Sequence, residues 1–180
     1  GATELTTEKE NRTSGLDKDY ATLWSYGVPE TMTLLIPNFQ GGASQSELSK
    51  NSETYKAFTQ NRVPNADQYI KSMPTYFGTQ PFTSGPVYAG AIIVFLFIFS
   101  LFYLKGPLKW WGITVTVLSI MLAWGKNFMP LTNFFLDYIP LYNKFRAVSM
   151  TLVIAELSIP LLAIVALDKM LMDSRKELLT

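Results

Sequence analysis

Between Met73 and Leu104 the chain carries no charged residue, and the end of that stretch, GPVYAGAIIVFLFIFSLFYL from Gly85 to Leu104, is almost continuously apolar. About 20 such residues, at roughly 1.5 Å of helical rise each, match the ~30 Å hydrocarbon core of a bilayer. The pattern predicts a membrane-spanning helix over 86–104, stopped by Lys105 and Lys109 in KGPLK. Two further apolar stretches follow. WWGITVTVLSIMLAWG, Trp110 to Gly125, has Trp near both ends, as interfacial anchoring favours. The third, Ala147 to Leu167, is interrupted by Glu156 and Pro160. Proline is tolerated in membrane helices because neighbouring groups can satisfy the freed backbone.

Charge is distributed to match. Residues 1–72 hold most of it, although the whole chain has 180 residues, 48% hydrophobic, and a formal net charge of only +1. A polar module, 1–86, therefore precedes a membrane module, 87–180. The expected fold is all-α: a fragment of a polytopic helical membrane protein carrying a mostly irregular and helical extracytoplasmic module. Lys105 and Lys109 between the first two spans, and Lys169, Arg175 and Lys176 after the third, place both of those ends in the cytoplasm by the positive-inside rule. Residues 1–86 and the loop 126–146 then share the opposite face. No signal peptide opens the chain, so it is expected to be an internal piece of a longer membrane protein.

Within the polar module, LDKDYATLWSYGVPETMTLLIPNFQGG reads as irregular structure lying against the membrane through Met32 to Phe39. Short helices are expected in SELSKNSETYKAFTQN from Ser46 and in NADQYIKSM from Asn65, the second entered by Pro64-Asn65. MPTYFGTQPFTSGP, Met73 to Pro86, is a turn-rich approach to the first span.

Cysteine and histidine are both absent, which excludes Cys/His zinc sites, thiolate nucleophiles, Ser-His-Asp triads and disulfides. Acids, bases and metal ligands must come from Asp, Glu, Lys or Tyr. Glu156 is one candidate. In a helix Arg146 and Glu156 lie ~15 Å apart along the axis and roughly 80° apart around it, with Ser149 nearly in line with Glu156. A polar stripe of this kind must avoid lipid, since a lipid-facing charge costs at least ~2.5 kcal/mol. It either lines a cavity open to the extracytoplasmic side or holds a protonated, hydrogen-bonded Glu156 that locks two helices together.

NKFR, Asn143 to Arg146, has the chemistry for an anionic ligand: a planar guanidinium fork and a mobile ammonium. Lys126 opens the same loop. Contact with lipid headgroups would use the same cations. Asp17-Lys18-Asp19 has the Asp-x-Asp spacing that holds divalent cations through hard oxygen ligands, and it also suits a solvated turn after Gly15. Trp24, Tyr26, Tyr76 and Phe77 offer flat faces to a sugar or acyl chain, or serve as core and interfacial anchors.

Taken together, GLDKDYATLWSYG, ETMTLLIPNFQGG, QPFTSGPVYAGAI, LKWW, LAWGKNFMPLTNFFLDYIPLYNKFRAVSM and TLVIAELSIPLLA resemble the YfhO-type bacterial membrane proteins, especially the long versions typical of Bacteroidetes. The resemblance covers Gly15 to Leu167. It implies a protein of the bacterial inner membrane, similar to the GT-C glycosyltransferases, that takes sugar from a polyprenyl-phosphate donor at the extracytoplasmic face. In that scheme a carboxylate of the first extracytoplasmic loop is the base or metal ligand, a role for which Asp17 or Asp19 would substitute, both able to hold a divalent cation; Glu156 joins them as a catalytic candidate from the polar stripe. Lys126, Lys144 and Arg146 would bind phosphate. Expected partners are membrane lipids, the polyprenyl-phosphate sugar and the remaining transmembrane helices of a longer chain, with no nucleic acid. A lipid or polymer transporter and a non-catalytic structural component are the alternative functions.

Overall fold

A computed structural model describes residues 17–85, 87–144 and 147–178. Arg146, one of the expected phosphate ligands, lies outside them. All regular structure among the described residues is helical, with two isolated bridges, Gly41 to Tyr76 and Ser46 to Met73, and no strand. The all-α expectation holds there. The polar part carries α1 (Lys18–Ala21), α2 (Glu53–Gln60) and α3 (Ala66–Tyr69). The apolar part carries α4 (Ala91–Tyr103), α5 (Pro107–Ala123), α6 (Met129–Tyr138) and α7 (Leu152–Leu178).

α7 is the centre of the apolar part and packs against both α4 and α5. Its buried positions, Leu152, Ala155, Ile159, Leu162, Ala163 and Ala166, recur every three or four residues and form one stripe. α5 presents Gly112, Thr116, Ser119 and Ala123, small residues that let two helix backbones approach. A Cβ on Gly112 would stand 2.7 Å from Leu162 Cδ1. Hydroxyls fasten the same seam: the Thr116 and Ser158 oxygens are 2.6 Å apart, and Ser119 Oγ donates to the Thr151 carbonyl at 2.5 Å while accepting the Ala155 N–H at 3.2 Å.

Packing layers give the helix directions. Ile93 and Val94, early in α4, meet Ala155 and Ile159, whereas Leu104, just past its end, meets Leu162 and Ala166. Ile113, early in α5, lies in that second layer, and Ala123 at its end meets Leu152. Hence α4 and α7 run the same way and α5 runs against them. The α4–α5 connection and the later half of α7 therefore share one end. There Tyr103 donates its hydroxyl hydrogen to Asp173 Oδ2 at 2.8 Å, and Lys169 Nζ sits 5.6 Å from the Tyr103 ring centre. The polar part caps the other end.

Helix bounds depart from expectation for identifiable reasons. α4 starts at Ala91 because the residues before it strap down the 29–34 turn: the Leu34 carbonyl accepts the N–H groups of Ala89 and Gly90 at 3.2 and 3.3 Å, with Gly90 at φ +103°. α7 runs past 167 to Leu178, because DKMLMDSRKEL is rich in helix formers and continues the last turn into polar sequence. The expected loop 126–146 contains a helix, α6. Gly125, at φ +47°, turns the chain, and the stretch from Gly125 to Tyr138 leaves α5 at 113°. By length and composition one helix among the described residues, Val148–Lys176, can cross a bilayer, or two if α5 and α6 are one bent span. Only 39% of the apolar window in that helix is buried. In the polar part, α2 begins after Ser52, whose Oγ accepts the Tyr55 N–H at 3.2 Å, and α3 after Asn65, so both are shorter than expected.

Candidate functional site

The polar part is organised by a carboxylate that sequence reasoning passed over. Glu30 is only 3% exposed. Its Oε2 accepts the Gly27 N–H at 2.5 Å, the Thr79 hydroxyl at 3.1 Å and the Thr79 N–H at 3.4 Å, while Oε1 accepts the Tyr76 hydroxyl. These four donor groups, with no paired cation among the described residues, form a cage that keeps the acid in place, because a buried charge is tolerable only when its lone pairs are filled. The Thr79 hydroxyl is shared with the Ser25 carbonyl at 3.2 Å. Burial, and then the bond to Glu30, hold the Tyr76 hydroxyl above its ordinary pKa of 10.0. With both oxygens occupied, Glu30 is a latch rather than a base. Its bonds to Tyr76 and Thr79 tie the segment 25–30 to the turn 76–79.

That latched segment closes the end of α5. Tyr26 N–H donates to the Ala123 carbonyl at 2.8 Å, filling one of the acceptors that a helix end leaves open. Ser25 Oγ accepts the Lys126 N–H at 2.8 Å, Asn127 Nδ2 donates to the Tyr26 carbonyl at 2.9 Å, and Trp124 Nε1 donates to Thr31 Oγ1 at 2.9 Å. A side chain at Gly125 would collide with the Ser25 hydroxyl. Ser149 N–H reaches the Trp24 carbonyl at 3.3 Å, so the start of α7 is held by the same segment.

Beside this joint two of the expected site segments meet. α1, formed from Asp17-Lys18-Asp19 and its neighbours, packs against the turn Tyr142–Lys144. Lys18 Nζ pairs with Asp137 Oδ1 of α6 at 2.9 Å. Tyr142, from that turn, also lines a cavity of about 460 Å³ walled by Leu122, Phe135, Ile139, Val148, Val153 and Ile154. Burial raises the Tyr142 hydroxyl's pKa, and the hydroxyl has no hydrogen-bond partner among the described residues. The volume is within the roughly 300–1,000 Å³ of ordinary ligand sites. An apolar hollow whose wall continues into a turn bearing Lys144 suits a molecule with a greasy tail and an anionic head.

The other expected site residues are placed as follows. Asp17 is the N-cap of α1, its Oδ1 accepting the N–H groups of Asp19 and Tyr20 at 2.9 and 3.4 Å. Asp19 is exposed in the same turn, and Lys126 is exposed just past the end of α5. Glu156 is exposed on α7 and does not line the apolar cavity; after burial and Glu30, its charge adds to the rise of the Tyr26 hydroxyl's pKa, so it faces the latched segment. At Asp17 and Asp19, one Asp17 oxygen is engaged in the helix cap, Lys18 lies between the two acids, and no group of three or more candidate ligands occurs among the described residues. Of the aromatics, Tyr26 is core, Tyr76 serves the latch, Trp24 meets Phe82 edge-on at 5.4 Å, and Phe77 is exposed.

No protein-family model, curated protein or solved structure matches the chain.

Proposed function

We propose that the chain is part of a multi-pass, glycosyltransferase-like protein of the bacterial inner membrane, acting on lipid-phosphate-linked sugars at the extracytoplasmic face. α4, α5 and α7 cross the bilayer. α7 spans it unaided; α4, at roughly 20 Å, is too short to do so and is completed by the strap 87–90, whose N–H groups at Ala89 and Gly90 are paired with the Leu34 carbonyl. Ile92, Phe95, Phe102, Leu157 and Ile164 turn apolar side chains outward, as lipid requires, while the hydroxyls of the α5–α7 seam are turned in; exposed Glu156, in the second turn of α7, sits at the headgroup level. Lys105, Lys109, Lys169, Arg175 and Lys176 gather at the cytoplasmic end, and the polar part and α6 lie at the other.

One observation carries the reading of function: the acidic turn of α1 packs on the Tyr142–Lys144 turn, which in turn walls the apolar cavity. In the proposed reaction a stretch of the polyprenyl chain occupies the cavity and Lys144 holds the donor phosphate. Asp19 takes the proton of the acceptor hydroxyl as its oxygen attacks the anomeric carbon, and the carbon–oxygen bond to phosphate breaks with the electron pair leaving on phosphate. The test is sugar transfer by the full-length protein in proteoliposomes, using labelled polyprenyl-phosphate sugars. Lys144→Ala raises KM for the donor, Asp19→Asn lowers kcat, and Ala147→Trp, at the cavity wall, blocks donor binding. Folded protein that transfers no sugar from any common donor removes the enzyme class.

A further inference from the structure

The 3₁₀ turn Pro29–Leu34 and the residues around it bury their acid and expose most of their large apolar side chains. In a water-facing module the acid of such a turn is exposed and the large apolar residues are buried. Here Glu30, Thr33 and Leu34 are buried, whereas Val28, Met32, Ile36 and Phe39 are between 41% and 47% exposed. Glu30 is held inward by Gly27, Tyr76 and Thr79, so the apolar residues are outward by construction and cannot be exchanged with it without breaking the cage.

The position of this turn says what it faces. Leu34 packs with Ala155 and Ile159 of α7 and with Ile93 of α4, one or two turns inside the helical bundle. The Leu34 carbonyl binds Ala89 and Gly90, next to exposed Tyr88 and two residues from exposed Ile92. The turn therefore adjoins the start of α4, whose outward face is apolar, and lies at the level of α7 where exposed Val153, Ile154 and Leu157 flank exposed Glu156. A surface that adjoins a lipid-facing belt at the same level meets the same solvent.

Building on the membrane reading above, we infer that Val28, Met32, Ile36 and Phe39 form a wedge sunk into the extracytoplasmic leaflet, so that the polar part rests on lipid rather than standing clear of it. The partner is a lipid surface, bound by buried apolar area, with side chains about 5–10 Å into the headgroup and acyl boundary.

Because the chain has no cysteine, each position can be labelled singly. Nitroxides are attached to Ile36→Cys and Phe39→Cys, and in parallel to Val28→Cys and Met32→Cys, in protein reconstituted into phosphatidylethanolamine–phosphatidylglycerol vesicles. Collision with oxygen, which partitions into lipid, is compared with collision with a water-soluble nickel chelate. Leu157→Cys reports the bilayer and Gln60→Cys, exposed at the end of α2, reports water. The expected result is that the four wedge positions favour oxygen over nickel, as position 157 does and position 60 does not. If they are as accessible to nickel as position 60 while 157 stays shielded, the wedge is wrong and the membrane reading survives. Wedge positions shielded from both reagents would mean a protein partner, which also overturns the inference. Nickel access at 157 would bring down the membrane reading and the wedge together.

Discussion

Glu30→Gln is the sharpest probe of how the polar part is held. The substitution keeps shape and removes charge. An amide oxygen can replace Oε2 and still accept from Gly27 and Thr79, but the amide nitrogen then faces the Tyr76 hydroxyl, whose oxygen already accepts the Gln80 N–H at 2.9 Å. The Tyr76 oxygen must accept twice and its own hydrogen loses its acceptor. Orphaning a buried polar group costs about 1–3 kcal/mol, and the remaining bonds lose their charge assistance, so a destabilisation of about 2–3 kcal/mol is expected. Glu30→Ala strips all four donors and opens a void, for about 3–5 kcal/mol, at the large end of single-substitution effects. Tyr76→Phe deletes the charge-assisted bond to Glu30 and the acceptor of the Gln80 N–H at a half-buried site, about 1–3 kcal/mol. Trp24 and Trp124 flank the joint, the latter bonded to Thr31, so intrinsic fluorescence during unfolding in detergent follows it. A double-mutant cycle between Glu30→Gln and Tyr76→Phe should return a coupling of about 1 kcal/mol or more. A Glu30→Gln variant within ~0.5 kcal/mol of the parent, together with zero coupling, would refute the latch.

Gly112→Val should lower the thermal midpoint by crowding Leu162, about 1–3 kcal/mol, whereas in Gly112→Ala the better helix propensity offsets part of a smaller clash. Stability carried by Tyr76 depends on pH in one direction: its folded pKa is raised, so the contribution is complete below 10.0 and is lost as pH climbs toward the folded value. Thermal scans between pH 9 and 12 should therefore slope more steeply for the parent than for Tyr76→Phe. Asp17→Ala should loosen α1 by about 0.5–2 kcal/mol through the lost cap while Asp17→Asn leaves it intact, measured by proteolysis near residue 22. Thr116→Val should cost about 0.6–1.7 kcal/mol in the α5–α7 seam, read by the same thermal scans.

The apolar helices were legible because period and length act locally. Lys105, Gly106 and Pro107 mark the break between α4 and α5, and Ser52 marks the start of α2, by chemistry confined to a few residues. What stayed hidden depends on distant partners. Nothing in VPETM tells an inward Glu30 from an ordinary surface glutamate, since its cage is supplied 46 and 49 residues later by Tyr76 and Thr79. The same holds for the late start of α4, set by the Leu34 carbonyl, and for α6, where the 113° turn at Gly125 depends on packing against Ser25. At the candidate site, the types and spacing of Asp17, Asp19, Lys126 and Lys144 could be listed from sequence, and the contact between α1 and the Lys144 turn could not. For Glu156 a helical wheel gives a stripe, but which flank of α7 is covered is decided by the packing of α4 and α5, which the wheel does not contain.

The bond from Ser25 to Lys126 joins residues 101 positions apart, and it has an implication for biosynthesis. At about 5–20 residues per second, the ribosome makes the cap for the α5 terminus roughly 5–20 seconds before that terminus exists. Glu30 meets Tyr76 and Thr79 well before α5 is complete, so the plug can set its shape early and wait. A nascent α5 then arrives at a finished socket, in which the Tyr26 N–H is already placed for the Ala123 carbonyl.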